Sequence, residues 1–160
     1  MFRKSILIST LLLTSFANSA ENIPTSSGIF SITEKENDYY EKEQTYKLEG
    51  KVVGKSSWLG VEGKLLGNYN NTNYISVSGY TGGSGCLKVI SIVKVNKNEV
   101  SFSPSLNACG GIKDINFKNG VVTVTALERD EKTQVKYIVK EDSILQDGVV
   151  PTTTFSFIAK

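Results

Sequence analysis

CLKVISIVKVNKNEVSFSPSLNAC, residues 86 to 109, carries both cysteines of the chain and sets how the surrounding sequence is read. Apolar residues alternate on either side of Lys97-Asn98, a polar pair suited to a turn. A hairpin centred there places Val95 opposite Val100, Val93 opposite Phe102, Val89 opposite Leu106 and Leu87 opposite Ala108. In the register those apolar pairs define, Cys86 lies opposite Cys109. Opposed Cα atoms of antiparallel strands sit about 4.5–5.5 Å apart, within reach of a disulfide, so a Cys86–Cys109 bridge is expected. Pro104 cannot donate to the ladder and must occupy an edge or a bulge.

The next segment repeats the pattern. Asn119-Gly120 is a strong two-residue hairpin signal. Centred there, Phe117 faces Val122 and Ile115 faces Val124, while Asn116 and Asp114 oppose Thr123 and Thr125 on the other side. A turn at Asp130-Glu131 then opposes Val124 to Tyr137, Ala126 to Val135 and Val122 to Val139. Both hairpins put the same face of the middle strand inside, as a half-buried sheet requires. A three-strand meander over 112–140 follows.

From Thr45 onward, short runs rich in Val, Ile, Thr, Tyr and Phe are cut by Gly and Asn clusters, and no long 3.6-residue period occurs. Leu48–Gly54 (LEGKVVG) echoes Val61–Gly67 (VEGKLLG), read as two similar and neighbouring strands. Asn68–Asn73 reads as a polar loop, and Thr154–Phe157 as a last strand after Pro151. The expected fold is all-β, an antiparallel barrel or sandwich of about seven to nine strands with one disulfide. Residues 45–160 form this single β domain. Residues 21–44 read as a polar N-terminal segment, loose over Glu21–Gly28 and a short helix or loop over the charged Glu34–Gln44.

Residues 1–20 read as a secretory signal peptide: Arg3 and Lys4, an apolar run from Ile6 to Phe16, and a small-residue exit at Asn18-Ser19-Ala20. That run is shorter than the roughly 20 residues a spanning helix needs, and no second long apolar run follows, so no transmembrane segment is expected in the mature chain. Export to the periplasm or the medium agrees with a pair of bonded cysteines. Arg3 and Lys4 are two of the 18 basic residues, so 16 basic and 16 acidic residues lie beyond residue 20. A net charge of zero argues against a nucleic-acid partner, which demands a basic face.

Several chemistries drop out. The chain has no histidine, which removes Ser-His and Cys-His nucleophilic sites and the usual zinc sets. No metal, cofactor or catalytic residue is expected. No Gly-Lys-Ser/Thr follows the glycines of residues 79–85, so they are not a P-loop. Ser84 lacks the closing glycine of a nucleophile elbow. Ser91 and Lys94 match S-x-x-K in letters but sit on a strand at a spacing that sends them to opposite faces. Two carboxylates acting as a hydrolase remain an alternative that sequence cannot place.

A binding role fits better. SGYTGGSGC, residues 78–86, offers glycines that allow close approach or positive φ, the amphipathic Tyr80, and hydroxyls at Ser78, Thr81 and Ser84. A disulfide at its base would lower the ordering cost of binding. The candidate partner-binding residues are therefore Ser78, Gly79, Tyr80, Thr81 and Ser84. Ser78-Gly79-Tyr80 resembles, in contracted form, the Ser-Gly-x-Tyr loop that several bacterial periplasmic lysozyme inhibitors insert into the lysozyme cleft. The likeness covers three residues and implies a manner of binding, a loop filling a cleft. The expectation is an exported, non-catalytic binding protein, an inhibitor or immunity-type protein acting on an extracytoplasmic toxin or cell-wall hydrolase. The alternative is a carbohydrate-binding or adhesive surface module using Tyr69, Tyr74 and Tyr80. Trp58 is read as core.

Overall fold

The computed structural model describes residues 20–36, 42–83, 85–148 and 156–159; of the signal-peptide segment only Ala20 falls among them, and Ser84 lies outside. Strands β1 (Ala20–Thr25), β2 (Gly28–Glu36), β3 (Lys42–Leu48) and β4 (Lys51–Ser56) form one sheet in chain order. A second sheet is built from β5 (Leu59–Tyr69), β6 (Thr72–Tyr80), β7 (Lys88–Val95) and β8 (Glu99–Phe102). The short β9 (Leu106–Asn107) pairs with the first half of β7, and β14 (Ser156–Ala159) closes the far side against β8. The third sheet runs β10 (Gly111–Lys118), β11 (Val121–Leu127), β12 (Gln134–Lys140) and β13 (Ser143–Gln146). No sheet closes on itself, so the fold is sandwich-like rather than a barrel.

The second sheet is the middle layer, and β7 shows why. Its residues Val89 to Val95 are all buried. Ile90 and Ile92 point one way, into a core with Val122, Val124, Ala126 and Val139 of the third sheet. Val93 and Val95 point the other way, into a core with Phe30, Ile32, Tyr46 and Leu48 of the first. β6 does the same, sending Tyr74 to the first of these cores and Ile75 and Val77 to the second. A strand covered on both faces reads as an unbroken apolar run, whereas the outer strands alternate. Val122, Val124 and Ala126 of β11 are fully buried, and Thr123 and Thr125 between them are not.

The meander has the expected registers. Phe117 pairs with Val122 and Ile115 with Val124, and Val124 pairs with Tyr137 and Ala126 with Val135. Asn119 and Gly120 take φ of 49° and 76°, the type I′ geometry that matches strand twist. β13 adds a fourth strand. Of the last strand expected over Thr154–Phe157, Ser156 and Phe157 lie in β14, and Thr154 and Phe155 lie outside the described residues.

The β7–β8 hairpin keeps its register near the turn, with Val95 against Val100 and Val93 against Phe102. Beyond Phe102 it slips by one: Ile90 opposes Leu106, and Val89 opposes Asn107. The cause is Pro104. Ser103 takes over the pairing before it, its N–H donating to Ile92 O at 2.9 Å and its Oγ accepting from Ile92 N–H at 2.9 Å. A one-residue slip exchanges faces, so Leu106 enters the core facing the third sheet. The disulfide survives the slip: Cys86 and Cys109 are bonded, with Cα atoms 4.4 Å apart.

The N-terminal reading needs correction. Residues 20–25, 28–36 and 42–44 are strands, not a loose segment, helix or loop, residues 37–41 lying outside the described residues. Their inward positions, Ile23, Phe30 and Ile32, are buried, but the same face continues into Glu34 and Glu36, while Ile29 on the outward face is exposed, and this masks the alternation. Cross-strand ion pairs, Lys42 to Glu34 at 2.7 Å and Lys55 to Glu43 at 2.8 Å, stabilise the extended ends. With these strands and the short β4, β9 and β13, the described residues hold fourteen strands rather than seven to nine. Asn68–Asn73 is a tight hairpin, with only Asn70 and Asn71 outside the strands and both at positive φ. The LEGKVVG echo is not structural: its first copy spans the β3–β4 turn and its second lies within β5, in a different sheet.

Two-faced burial makes a measurable demand. Ile92→Ala and Ile75→Ala empty different cores, and each is expected to cost about 2–5 kcal/mol in urea unfolding. Replacing Cys86 and Cys109 together by Ser opens a span of 23 residues and is expected to cost about 3.5 kcal/mol in the chain-entropy model.

Candidate functional site

Ser78, Gly79 and Tyr80 are not in a loop but at the end of β6. Successive strand residues face opposite ways, and these three do so. Gly79 is buried on the side of the first sheet: a methyl there would lie 3.0 Å from Trp58 Cβ and 3.0 Å from Val61 Cγ2. Tyr80 points to the other face and is 47% exposed. Its register partners are Leu59 on one side and Lys88 on the other, and Lys88 Nζ stands 5.5 Å from its ring centre. Leu59 and Leu87, also exposed, join it at this end of the middle sheet.

The connection from β6 to β7 is closed at its neck. Thr81 N–H donates to Leu87 O at 3.0 Å, and Thr81 Oγ1 donates to Cys86 O at 2.5 Å. Thr81 is thus a loop-closing residue as much as a candidate contact. Of the glycines here, Gly82 takes φ +73°, whereas Gly83 and Gly85 adopt neither positive φ nor a crowded position. The Arg129 guanidinium, from the β11–β12 turn, donates to Gly85 O. The disulfide joins the same connection to the end of β9. Just past Cys109, Gly110 N–H donates to Leu127 O at 2.8 Å, and Gly110 lies so close to Glu128 O that no side chain fits. The rim around Tyr80 is therefore tied to both the middle and third sheets.

The tyrosines do not form one platform. Tyr74 is buried, its ring 4.9 Å from that of Phe117. Tyr69 lies at the β5–β6 turn, opposite Thr72, at the far end of β6 from Tyr80. Trp58 is half-buried against the core between the first and middle sheets.

Two clefts open along the first sheet. One, of about 420 Å³, lies between the first and middle sheets, with Tyr46, Trp58 and Phe102 among its walls and Ser91 and Ser103 at its inner surface. Sequence reading passed over it because its residues come from β3 to β8; the local signals are Ser56-Ser57-Trp58 and Ser101-Phe102-Ser103-Pro104-Ser105. The second, of about 490 Å³, has Glu21 and Glu34 among its lining. Both acids are engaged: Glu21 Oε2 accepts from Gly63 N–H at 2.7 Å, and Glu34 accepts from Lys42 Nζ at 2.7 Å and Gln44 Nε2 at 2.6 Å. The Lys42 bond, followed by that of Gln44, holds the Glu34 carboxyl below its ordinary range, the opposite of what a general acid needs.

The S-x-x-K letters are divided as their spacing requires. Ser91 Oγ donates to Ser103 O at 2.8 Å on one face, and Lys94 Nζ donates to Asp142 Oδ1 at 2.6 Å on the other. Among the described residues no three His, Cys, Asp or Glu side chains converge as a metal would require, and no helix is long and apolar enough to cross a membrane. No family model matches the chain, and neither the curated proteins nor the solved structures give a significant match.

Gly79→Ala is expected to cost about 1–3 kcal/mol through the overpacked Trp58 contact, whereas Tyr80→Ala should cost less than about 1 kcal/mol, the scale of an exposed cation–π contact; thermal unfolding of both variants checks the contrast. Because the Glu34 carboxyl is depressed by its partners, its contribution is present above the unfolded value near 4.3 and lost as pH falls through the folded one. Urea unfolding of wild type and Glu34→Gln over a range of pH should therefore show a constant difference in stability above about pH 4.5 that shrinks as pH falls below that value, the two proteins converging in acid.

Proposed function

We propose that the chain is an exported, non-catalytic binding protein that inhibits or neutralises an extracytoplasmic toxin or cell-wall hydrolase through the rim around Tyr80. The observation that carries this reading is a half-exposed tyrosine on a strand end rather than on a free loop, flanked by the exposed Leu59 and Leu87 and braced by the Cys86–Cys109 bond. A rigid aromatic of this kind binds at low entropic cost, and tyrosine is over-represented among residues that dominate interface energy. Thr81 and Ser78 supply hydroxyls beside it, with Gly79 setting the strand that carries it. The bonded cysteines are compatible with an oxidising compartment, which supports the periplasm or the medium as its location.

The test is inhibition of purified cell-wall hydrolases, both glycan- and peptide-cleaving, by the isolated chain. Stoichiometric inhibition of one of them is expected, with Tyr80→Ala weakening it about 30-fold, a loss of roughly 2 kcal/mol, at unchanged melting temperature. Inhibition untouched by Tyr80→Ala, or absent throughout the panel, would sink the reading.

A further inference from the structure

We propose that the cleft between the first and middle sheets is a binding site for a neutral saccharide. It is a different site from the Tyr80 rim and rests on different residues. Its volume of about 420 Å³ falls within the roughly 300–1,000 Å³ typical of small-ligand sites.

The lining selects the ligand by elimination. Lys55 is its one ionisable group besides the Tyr46 phenol, and Lys55 is already bonded to Glu43 at 2.8 Å, so an anion finds no free cation. No carboxylate lines the cleft, so a cation finds no counter-charge. A purely apolar ligand would take the Ser57 and Ser105 hydroxyls out of water with nothing to bond them. What remains is a neutral molecule with hydroxyls around its edge and an apolar C–H face, which is the character of a sugar ring. Trp58 and Phe102 are both only partly buried and supply the flat apolar surface.

The serines divide into two sets. Ser91, Ser103 and Ser56 are engaged within the protein: Ser91 with Ser103, and Ser56 with the Tyr46 hydroxyl at 2.7 Å. These bonds hold the inner wall in place. Ser57 and Ser105 are exposed, and no hydrogen bond of theirs to the described residues exists. Both line the cleft, Ser57 after β4 and Ser105 after Pro104. The bulge at Pro104 is what turns Ser103 and Ser105 to the cleft, since a regular β8–β9 strand would have carried the ladder through.

Trp58 is the chain's one tryptophan, so its emission reports on its own surroundings, and the variants below separate the cleft from the rim. The experiment titrates the purified chain with three neutral trimers: β-1,4-linked glucose, α-1,4-linked glucose and β-1,4-linked N-acetylglucosamine. Trp58 emission and ligand-observed saturation-transfer NMR are read together. A saturable response to at least one trimer is expected. The double variant Ser57→Ala, Ser105→Ala should raise its dissociation constant about tenfold, as loss of two hydrogen bonds implies, without moving the melting temperature. Tyr80→Ala should leave it unchanged, which separates this site from the rim. No response to any trimer, a response that the double variant does not weaken, or one abolished by Tyr80→Ala overturns the proposal.

Discussion

The rest of the structure depends on the middle sheet being apolar on both faces. Ile90 and Ile92 face one way, and Val93 and Val95 the other. A single covering layer would leave one set in water, at a cost of about 1.5–3 kcal/mol for each large side chain. Two layers must therefore be found, and the chain supplies them from its two ends. The segment before β5 makes the first sheet, and the segment after β9 makes the third. Each outer sheet is a meander of neighbouring strands, so only the middle layer has to be assembled from distant parts.

This constraint also explains how much of the fold was legible in the residues. The meander was readable to the pair, because Asn119-Gly120 has one favourable turn and its flanks alternate cleanly. The β7–β8 hairpin was readable up to Phe102 and no further. Pro104 announces a break, but nothing local says whether one residue or none is inserted. The core facing the third sheet, formed by strands far along the chain, is what takes up Leu106 after the slip. The N-terminal strands were illegible for another reason. Glu34, Lys35, Glu36 and Lys42 put charge on both faces of the strand ends, and the burial of Phe30 and Ile32 depends on β7, more than fifty residues away.

At the candidate rim, the composition of residues 78–86 was informative and its geometry was not. The cluster of glycines and hydroxyls looked like one loop. In fact Ser78, Gly79 and Tyr80 belong to β6 and Thr81 begins the connection, and the last three do different jobs. Gly79 makes room for Trp58, and Tyr80 is displayed. Thr81 closes the neck through Leu87 O and Cys86 O. A two-residue period, begun at Thr72, divides what the letters present as uniform.

That same period places the two proposed sites back to back. Gly79 faces the first sheet, and Trp58, which presses on it, is a wall of the serine-lined cleft. Tyr80, the next residue, faces away from that cleft. One peptide bond therefore joins the floor beneath Trp58 to the displayed ring of the rim. A β-strand end transmits position well, because its hydrogen-bonded neighbours on both sides hold it: Leu59 and Lys88 are paired with Tyr80, and Val89 with Gly79. Side-chain chemistry does not cross the strand, since nothing on one face touches the other. Substitutions that alter only a side chain remain local to one face, while a change that moves the β6 backbone, such as any bulk at Gly79, must disturb both. The disulfide acts on the same point from outside, fixing where β7 starts after the connection and so where Lys88 stands against Tyr80.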